Sequence, residues 1–384
     1  MAVIALTGLG LGLSDAVFAN YYKDAYDADA FQRGLIELPR EIPGFILVFI
    51  ISALAFLGDI RLSIIAQILT VIGLAVLGLV TPPFSVMLIF LFLFSLGQHM
   101  FMPLGDSIGM SLGEEGGVGL VLGRLNGVRT AFTMIAGILV FVGFRQGFFT
   151  FMTPVKSIFL IAALIFLIVA ILLFKMLKMT GELKTQQKFR LIIRKEYGIF
   201  YLLAALFGAR KQIMIVYGPW VLIELLGFGA DRMALLGIAG AAIGIFFMPA
   251  VGRWIDRFGT AQIMMVEAAA FLVVYIIYGL LSQGLSSGAL AATGIAVGIA
   301  FIVNIADRMT MQFGMVRAVY MRSIAVTPEE VTPTLSAGMS LDHILSILSA
   351  ILCGWLWDQF GPQYVFVFAA ILALGNMVVA KRIT

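Results

Sequence analysis

The stretch GRWIDRFGTAQ, residues 252–262, is a short charged segment between two long apolar regions, 231–254 and 260–282. Its charged residues include Asp256 and Arg257. Because a helix of about 20 apolar residues is long enough to cross the hydrocarbon core of a bilayer, both flanking regions are predicted membrane spans. The charged segment is predicted to join them at the membrane surface.

The whole chain has the composition of an integral membrane protein. It has 384 residues, of which 61% are hydrophobic and 12% charged, with a mean hydropathy of +1.07, whereas soluble domains have about 25% charged residues. This leaves no room for a separate soluble catalytic domain, and we expect neither an enzyme nor a cofactor. The single cysteine, Cys353, excludes an intrachain disulfide and a four-thiolate metal site.

The apolar pattern predicts an all-α membrane protein with twelve transmembrane helices, separated by clusters of charge, proline and glycine. The tenth predicted span has 38 residues and would rise about 57 Å, so part of it must be a loop or must project past the bilayer. The predicted spans are 2–24, 31–57, 61–80, 84–112, 121–145, 153–177, 197–225, 231–254, 260–282, 287–324, 334–357 and 361–381.

The distribution of basic residues predicts that both termini are cytoplasmic. The start of the chain, MAVIALTGLG, is read as a retained first helix, since no basic region precedes its apolar run. Lys and Arg concentrate in cytoplasmic connections, and the largest basic cluster lies in the central polar loop. Nucleic-acid binding is not expected, because no aromatic residues are interleaved with the basic residues of this cluster. The cluster consists of Lys175, Lys178, Lys184, Lys188, Arg190, Arg194 and Lys195.

The central loop divides the chain into two halves that echo each other. We predict an N-terminal six-helix bundle, 1–177, a cytoplasmic basic linker, 178–196, and a C-terminal six-helix bundle, 197–384. Asp59 and Asp256 each follow an even-numbered span, 197 residues apart. Two parallel, pseudo-symmetric repeats follow from this pattern, and substrate sites in such folds lie at the repeat interface near the bilayer midplane.

The segment after the eighth span resembles the signature loop of the major facilitator superfamily. It has Gly252 four residues before Asp256-Arg257, and Gly259 closes the motif. The resemblance implies a bacterial-type transporter of the cytoplasmic membrane that works by alternating access, with these residues in a gating loop. The first copy, ALAFLGDIRLS, has Ala55 in place of the first glycine and lacks the last one, but it retains Asp59 and Arg61.

A charged stripe opens the second span, in AFQRGLIELPREIPGF, residues 30–45. On a helix, Arg33, Glu37, Arg40 and Glu41 fall within an arc of about 100°. Their spacings of three, four and seven residues allow opposite charges to pair. Since a charge near the bilayer centre costs at least roughly 2.5–3.5 kcal/mol, the stripe is predicted to face protein or a water-filled cavity; a solvated outer mouth is the alternative.

Other ionisable residues within the spans are candidates for a substrate and proton pathway. We expect the proton-binding carboxylate among the acids, and the two histidines could titrate near neutral pH. Arg210 and Lys211 are the candidate substrate contacts, but only one should face a cavity because neighbours on a helix point about 100° apart. Static ion pairs between helices, including one with Asp15, are the alternative. The candidates are Asp15, Glu37, Arg40, Glu41, His99, Asp106, Arg129, Arg210, Lys211, Asp307, Arg317, Asp342 and His343.

These features together predict a secondary active transporter for a small polar or charged solute, anionic or zwitterionic, with proton coupling. Its partners would be the solute, protons and the lipid bilayer; a monomer would suffice. One alternative is efflux of hydrophobic drug or lipid-like compounds, although the fifth span lacks the Gly-Pro pattern of drug/proton antiporters. The other is a non-transporting receptor or partner subunit.

Methionine-rich segments offer a further alternative, the transport of a soft metal ion. HMFMP at 99–103 and RMTMQFGM at 308–315 contain thioether groups of the kind that copper(I) prefers. Methionine also fills irregular gaps in apolar cores, and we take that as its role here. No resident metal site is expected.

Overall fold

A computed structural model describes residues 1–111, 118–182, 194–327 and 330–383 of the chain. Within these ranges the secondary structure is helical, and no strand is assigned. The helices are α1 (Ala2–Ser14), α2 (Phe18–Tyr26), α3 (Ala30–Leu35), α4 (Glu37–Leu54), α5 (Asp59–Leu79), α6 (Phe84–Ser111), α7 (Val118–Arg145), α8 (Ser157–Thr180), α9 (Gly198–Trp220), α10 (Ala230–Phe258), α11 (Thr260–Ser286), α12 (Ile295–Gln312), α13 (Val316–Ile324), α14 (Val331–Phe360) and α15 (Pro362–Ala380).

The helices follow the predicted membrane spans. In the described part of the chain, eleven helical stretches are long and apolar enough to cross a membrane. The second predicted span is not among them, since α4 has 18 residues and three of these, Glu37, Arg40 and Glu41, are charged. With α3 and α4 as this span, the all-helical fold with twelve spans is confirmed.

Several spans differ from their predicted limits. The first span is interrupted by a 3₁₀ turn, Asp15–Val17, and the eighth span continues to Phe258 at the end of α10. The predicted start of the tenth span at residue 287 is wrong, because its helix begins at Ile295. Gly288 and Gly294 have φ of 76° and 55°, and this left-handed conformation ends a right-handed helix. The expected loop within the tenth span is therefore confirmed.

The first of two compact units comprises Met1–Asp27, Ile42–Phe189 and Gly229–Ile238. Its core forms where α5 packs against α6 and α8, and where α1 packs against α7 and α8. A Cβ atom on Gly97 of α6 would lie 2.3 Å from the carbonyl oxygen of Ala66 on α5. A glycine is needed here, because small residues let membrane helices approach closely.

The second compact unit comprises Ala28–Glu41, Arg190–Phe228 and Ala239–Thr384. In it α9 packs against α14 and α15, α11 packs against α15, and α3 packs against α14. A Cβ atom on Gly208 of α9 would lie 2.3 Å from Oδ1 of Asp342 on α14. The glycine therefore lets α9 and α14 approach closely, and this contact places Asp342 beside the polar turn of α9.

The predicted division into bundles 1–177 and 197–384 with a linker at 178–196 stays a prediction. At the end of this linker Arg194 donates two hydrogen bonds to Glu330, of 2.9 Å and 2.5 Å. The bonded carboxylate of Glu330 holds the pKa of Arg194 above its ordinary value. Three basic residues of the predicted cluster lie outside the described residues: Lys184, Lys188 and Arg190.

Candidate functional site

The charged stripe on α3 and α4 is a set of ion pairs around one buried carboxylate. Arg33 Nη1 donates to Glu37 Oε1 at 2.5 Å, and Arg40 Nη1 donates to the same oxygen at 3.2 Å. The second oxygen of Glu37 accepts a 2.6 Å hydrogen bond from Gln212 Nε2 of α9. Glu37 is fully buried, so these three partners replace the water that an ionised carboxylate otherwise needs.

Four residues of the second unit form what we call the accessible cluster: Glu41, Lys211, Asp342 and His343. Lys211 Nζ lies 2.9 Å and 2.8 Å from the two carboxylate oxygens of Asp342. His343 Nδ1 lies 2.7 Å from Glu41 Oε2. All four side chains remain 14–19% exposed, so water or a solute can still reach the Lys211–Asp342 ion pair and the contact between His343 and Glu41.

The helices that supply the accessible cluster also fix its spacing. Asp342 and His343 are neighbours on α14, and they point to different partners, Lys211 on α9 and Glu41 on α4. Ser346, one turn further along α14, donates to Asp342 Oδ1 at 3.2 Å. An ammonium, two carboxylates and an imidazole are thus held side by side, and this set can bind both a carboxylate and an amino group.

Three other residues of the second unit form what we call the sealed triad: Arg210, Glu267 and Arg317. Arg210 Nη2 donates to Glu267 Oε1 at 2.9 Å, and Arg317 Nη1 donates to both oxygens of Glu267 at 2.9 Å and 3.2 Å. The side chains of Arg210 and Glu267 are 0% exposed. The two predicted substrate contacts on α9 thus differ, because Arg210 is sealed whereas Lys211 is accessible.

Aromatic rings flank both guanidinium groups of the sealed triad. The guanidinium carbon of Arg210 lies 3.8 Å from the centroid of the Phe271 ring. That of Arg317 lies 3.3 Å from the centroid of the Phe207 ring. Cations placed over aromatic faces in a desolvated setting gain about 2 kcal/mol, so the rings contribute to holding two arginines around one carboxylate.

Asp307 on α12 is another candidate acid of the second unit. Its environment differs from that of Glu267 in the sealed triad. Asp307 is buried, and its Oδ1 has no hydrogen-bond partner within the described residues. The next residue, Arg308, donates through Nε to Asn304 at 3.1 Å. Asn304 in turn donates to the hydroxyl of Tyr278 at 3.3 Å. Within the described residues the Asp307 side chain therefore takes no part in this hydrogen-bonded chain, and Arg308 and Arg210 act on its charge without a hydrogen bond.

The candidate residues of the first unit are more dispersed. Arg129 on α7 pairs with Asp106 on α6 at 3.3 Å, as their positions within two neighbouring spans allow. Nδ1 of His99 lies 2.9 Å from the carbonyl oxygen of Ser95, one turn earlier on α6. Asp15 is exposed in the 3₁₀ turn between α1 and α2.

The signature-loop residues lie at two helix junctions with the same backbone. Gly58 precedes α5 with φ 83° and ψ 166°, and Gly259 precedes α11 with φ 81° and ψ 165°. The matching positions are therefore these two glycines, 201 residues apart. The predicted alignment of Asp59 with Asp256 is out of register by four residues, because Asp59 opens α5 whereas Asp256 lies in the last turn of α10.

The side chains around these two junctions also differ. Asp59 accepts a hydrogen bond from Ser107 Oγ at 2.7 Å, and Arg61 pairs with Glu182 at 3.5 Å. Glu182 also accepts from the backbone N–H of Ile60 at 2.8 Å, so it caps α5. At the second junction, Gly252 lies within α10 and Asp256 and Arg257 are exposed. A gating role for these residues stays a prediction.

Two residues of the site were absent from the predicted set. Glu267 is the centre of the sealed triad, and its signal in the sequence is that it is the only ionisable carboxylate in α11. Gln212 bonds Glu37 and reaches Glu41 Oε1 at 3.5 Å. As an uncharged residue beside Lys211, it gave no signal of its own.

The chain is similar to known proteins in sequence family and in fold. The family model described as Major Facilitator Superfamily matches residues 1–327. No curated protein sequence matches the chain.

Several solved transporter structures share the fold. The nucleoside transporter NupG is 14% identical, and the match covers 99% of this chain and 97% of that chain with a TM-score of 0.76. The D-xylose-proton symporter is 14% identical over 100% of this chain and 96% of that chain, with a TM-score of 0.71. A POT family transporter in complex with 5-aminolevulinic acid is 12% identical over 99% and 93%, with a TM-score of 0.72. Since the family model spans most of its length, the chain belongs to the Major Facilitator Superfamily, and it is a membrane transporter.

Proposed function

We propose that the protein is a proton-coupled secondary transporter for a small anionic or zwitterionic solute, which binds at the accessible cluster. The observation that carries this proposal is two adjoining, partly exposed pairs of ionisable side chains, Lys211–Asp342 and Glu41–His343. Ionisable residues within membrane spans are costly and mark solute and ion pathways. A solute carboxylate would replace Asp342 on Lys211, and an amino group would be received by Glu41 or the released Asp342.

Three of the similar structures support a polar solute. They are a nucleoside transporter, a D-xylose-proton symporter and a transporter in complex with 5-aminolevulinic acid. The last compound has both an amino and a carboxyl group, the two groups for which the accessible cluster has partners. In this proposal the protein lies in the bacterial cytoplasmic membrane with both termini in the cytoplasm and acts as a monomer.

The test is a thermal-shift screen of the purified protein against amino acids, carboxylates, nucleosides and sugars over a pH series. A solute that binds the native state raises its stability, by about 2.7 kcal/mol at a concentration of 100 Kd. A zwitterion or anion is expected to stabilise the wild type and not a Lys211→Met variant. The matched control is Arg145→Met, which breaks the exposed pair with Asp231 and should leave binding unchanged.

The same screen separates the other functions. Stabilisation by hydrophobic drugs or lipids alone, unaffected by Lys211→Met, would contradict the polar solute and favour lipophilic efflux. Binding of a solute without its flux into proteoliposomes would favour a receptor. Flux that is independent of a pH gradient would refute proton coupling.

A further inference from the structure

The core of the second unit contains buried polar atoms that no hydrogen bond satisfies. Among them are Asp307 Oδ1, Arg210 Nε and Nη1, and the hydroxyl of Tyr275, each without a partner within the described residues. Leaving such a group unpaired in a protein interior is unfavourable, because the water it loses is not replaced. Here an unused acceptor and unused donors occur in the same region, so a different arrangement of the same side chains could satisfy them.

Asp307 differs in this respect from four other acids of the unit, two buried and two partly exposed. Glu37, Glu41, Glu267 and Asp342 each accept from a basic side chain at 2.5–2.9 Å. No hydrogen bond from a basic side chain to Asp307 is found within the described ranges. A carboxylate that lacks such a partner is the group of the unit that can be held neutral without breaking an existing ion pair.

Positive charges outnumber negative charges in the sealed triad, which contains the Arg210 that acts on Asp307. The sealed triad has two guanidinium groups and one carboxylate, so it leaves one positive charge without a counter-ion. Asp307 is buried, with 7% exposure. The ionisable groups that act on it from the packed helices are Arg210 of α9, Tyr275 and Tyr278 of α11, and Arg308 on its own helix, while Glu267 acts through Arg210.

We propose that Asp307 is the proton-carrying residue of this transporter and that Arg210 exchanges between Glu267 and Asp307 as the proton binds and leaves. This assignment rests on the proposed proton-coupled function. In the arrangement described here Arg210 bonds Glu267, and in this proposal the arrangement belongs to the proton-loaded, neutral form of Asp307. When the proton leaves, the charged Asp307 attracts the unused N–H groups of Arg210.

The proton balance of this exchange is simple. A proton from water on one side of the membrane forms an O–H bond with the Asp307 carboxylate. The bond breaks when the proton passes to water on the other side, and no electrons are transferred. Glu267 keeps a counter-ion throughout, because Arg317 donates to both of its oxygens.

The position of Arg210 lets its guanidinium move between Glu267 and Asp307. It also links this movement to the solute site. Its guanidinium lies over the flat face of Phe271, which attracts the cation without fixing its direction by a hydrogen bond. The next residue on α9 is Lys211, which binds Asp342. A shift of α9 at Arg210 therefore displaces Lys211, so loading of the proton site and opening of the accessible cluster are coupled.

Infrared difference spectroscopy of the purified, solute-free protein tests the assignment. The expected signal at neutral pH is the carbonyl stretch of a protonated carboxylic acid. It should shift when aspartate carries a heavy carbon isotope in its carboxyl group and stay unchanged when glutamate does. Asp307→Asn should remove it, and the matched control Asp231→Asn, at the pair with Arg145 outside the site, should retain it.

A second variant tests the role of Arg210 as exchange partner. Arg210→Gln removes the positive charge that competes for the carboxylate, so the proton should be held about tenfold or more tightly. The signal would then persist to higher pH. A purely structural role for Arg210 predicts an unchanged titration.

The assignment is overturned if the signal shifts with labelled glutamate, or is absent, or survives Asp307→Asn. Isotope labelling of the wild type decides this even where a variant fails to fold. Failure of the proposed function gives a different result: loss of proton-driven flux in vesicles with the Asp307 signal intact counts against transport of that solute and not against the protonated aspartate.

Discussion

The sealed triad and the accessible cluster use the same chemistry in two different settings. Arg210 and Lys211 are adjacent on α9, and each pairs with a carboxylate at 2.8–2.9 Å. Arg210 and its acid are 0% exposed, whereas Lys211 and Asp342 are 19% and 18% exposed. The two pairs thus have similar distances and differ in exposure. The charges of the sealed triad join helices where water is excluded, whereas a solute can reach the charges of the accessible cluster.

The largest expected effect comes from removing the acid of the sealed triad. Glu267→Ala leaves two buried guanidinium groups without their carboxylate, so the free energy of unfolding should fall by about 3–5 kcal/mol. Reversible unfolding in mixed micelles measures this. Asp342→Ala, the matched change in the accessible cluster, should cost only about 1 kcal/mol; equal losses would break the comparison.

The next effect is a recovery of stability. Replacing Arg210, Glu267 and Arg317 together with Met removes all three charges and fills the space with apolar side chains. This should restore about 1–4 kcal/mol relative to Glu267→Ala, while proton-driven flux is lost. A triple variant as unstable as the single one would mean that the ion pairs themselves are required for folding.

A smaller effect is expected within the accessible cluster. A double-mutant cycle of Lys211→Met and Asp342→Asn should give a coupling energy of about 0.5–1 kcal/mol in the free energy of unfolding. The same cycle on Arg210 and Glu267 should give a larger coupling. If the order were reversed, exposure would not be what weakens the accessible pair.

The smallest effect is the response to salt. At about 1 M salt the screening length is about 3 Å, so the Lys211–Asp342 coupling should fall by a few tenths of a kcal/mol. The Arg210–Glu267 coupling should stay constant, because ions do not enter the sealed triad. Repeating both cycles at low and high salt measures this, and equal sensitivity would show that the triad is open to solvent.

Much of the fold could be predicted from the sequence, because a helix that crosses a bilayer needs about 20 predominantly apolar residues. Ion pairs within one helical segment were also predictable, because the helical repeat decides which side chains lie on the same face. Arg33, Glu37 and Arg40 lie at helical spacings, and the structure joins them. The predicted start of the tenth span was displaced by a local feature, the positive φ of Gly288 and Gly294.

Contacts between helices could not be read from the sequence. Glu267 meets a partner 57 residues away in the chain, and Asp342 meets one 131 residues away. Which of Arg210 and Lys211 is accessible depends on how closely α9 approaches α14 at Gly208. Helical periodicity fixes only the angle between side chains on one helix, so it left both residues as candidates.

The twin junctions at Gly58 and Gly259 bear on the ancestry of the two halves. A φ near 80° is cheap for glycine alone, so a duplicated gene could preserve this bend while the neighbouring acids changed places. Only at the first junction does a side chain press on the glycine, because a Cβ on Gly58 would lie 2.1 Å from Glu182, whereas space around Gly259 is open. A duplication of one half would leave this pattern, a shared backbone path with different side chains beside it.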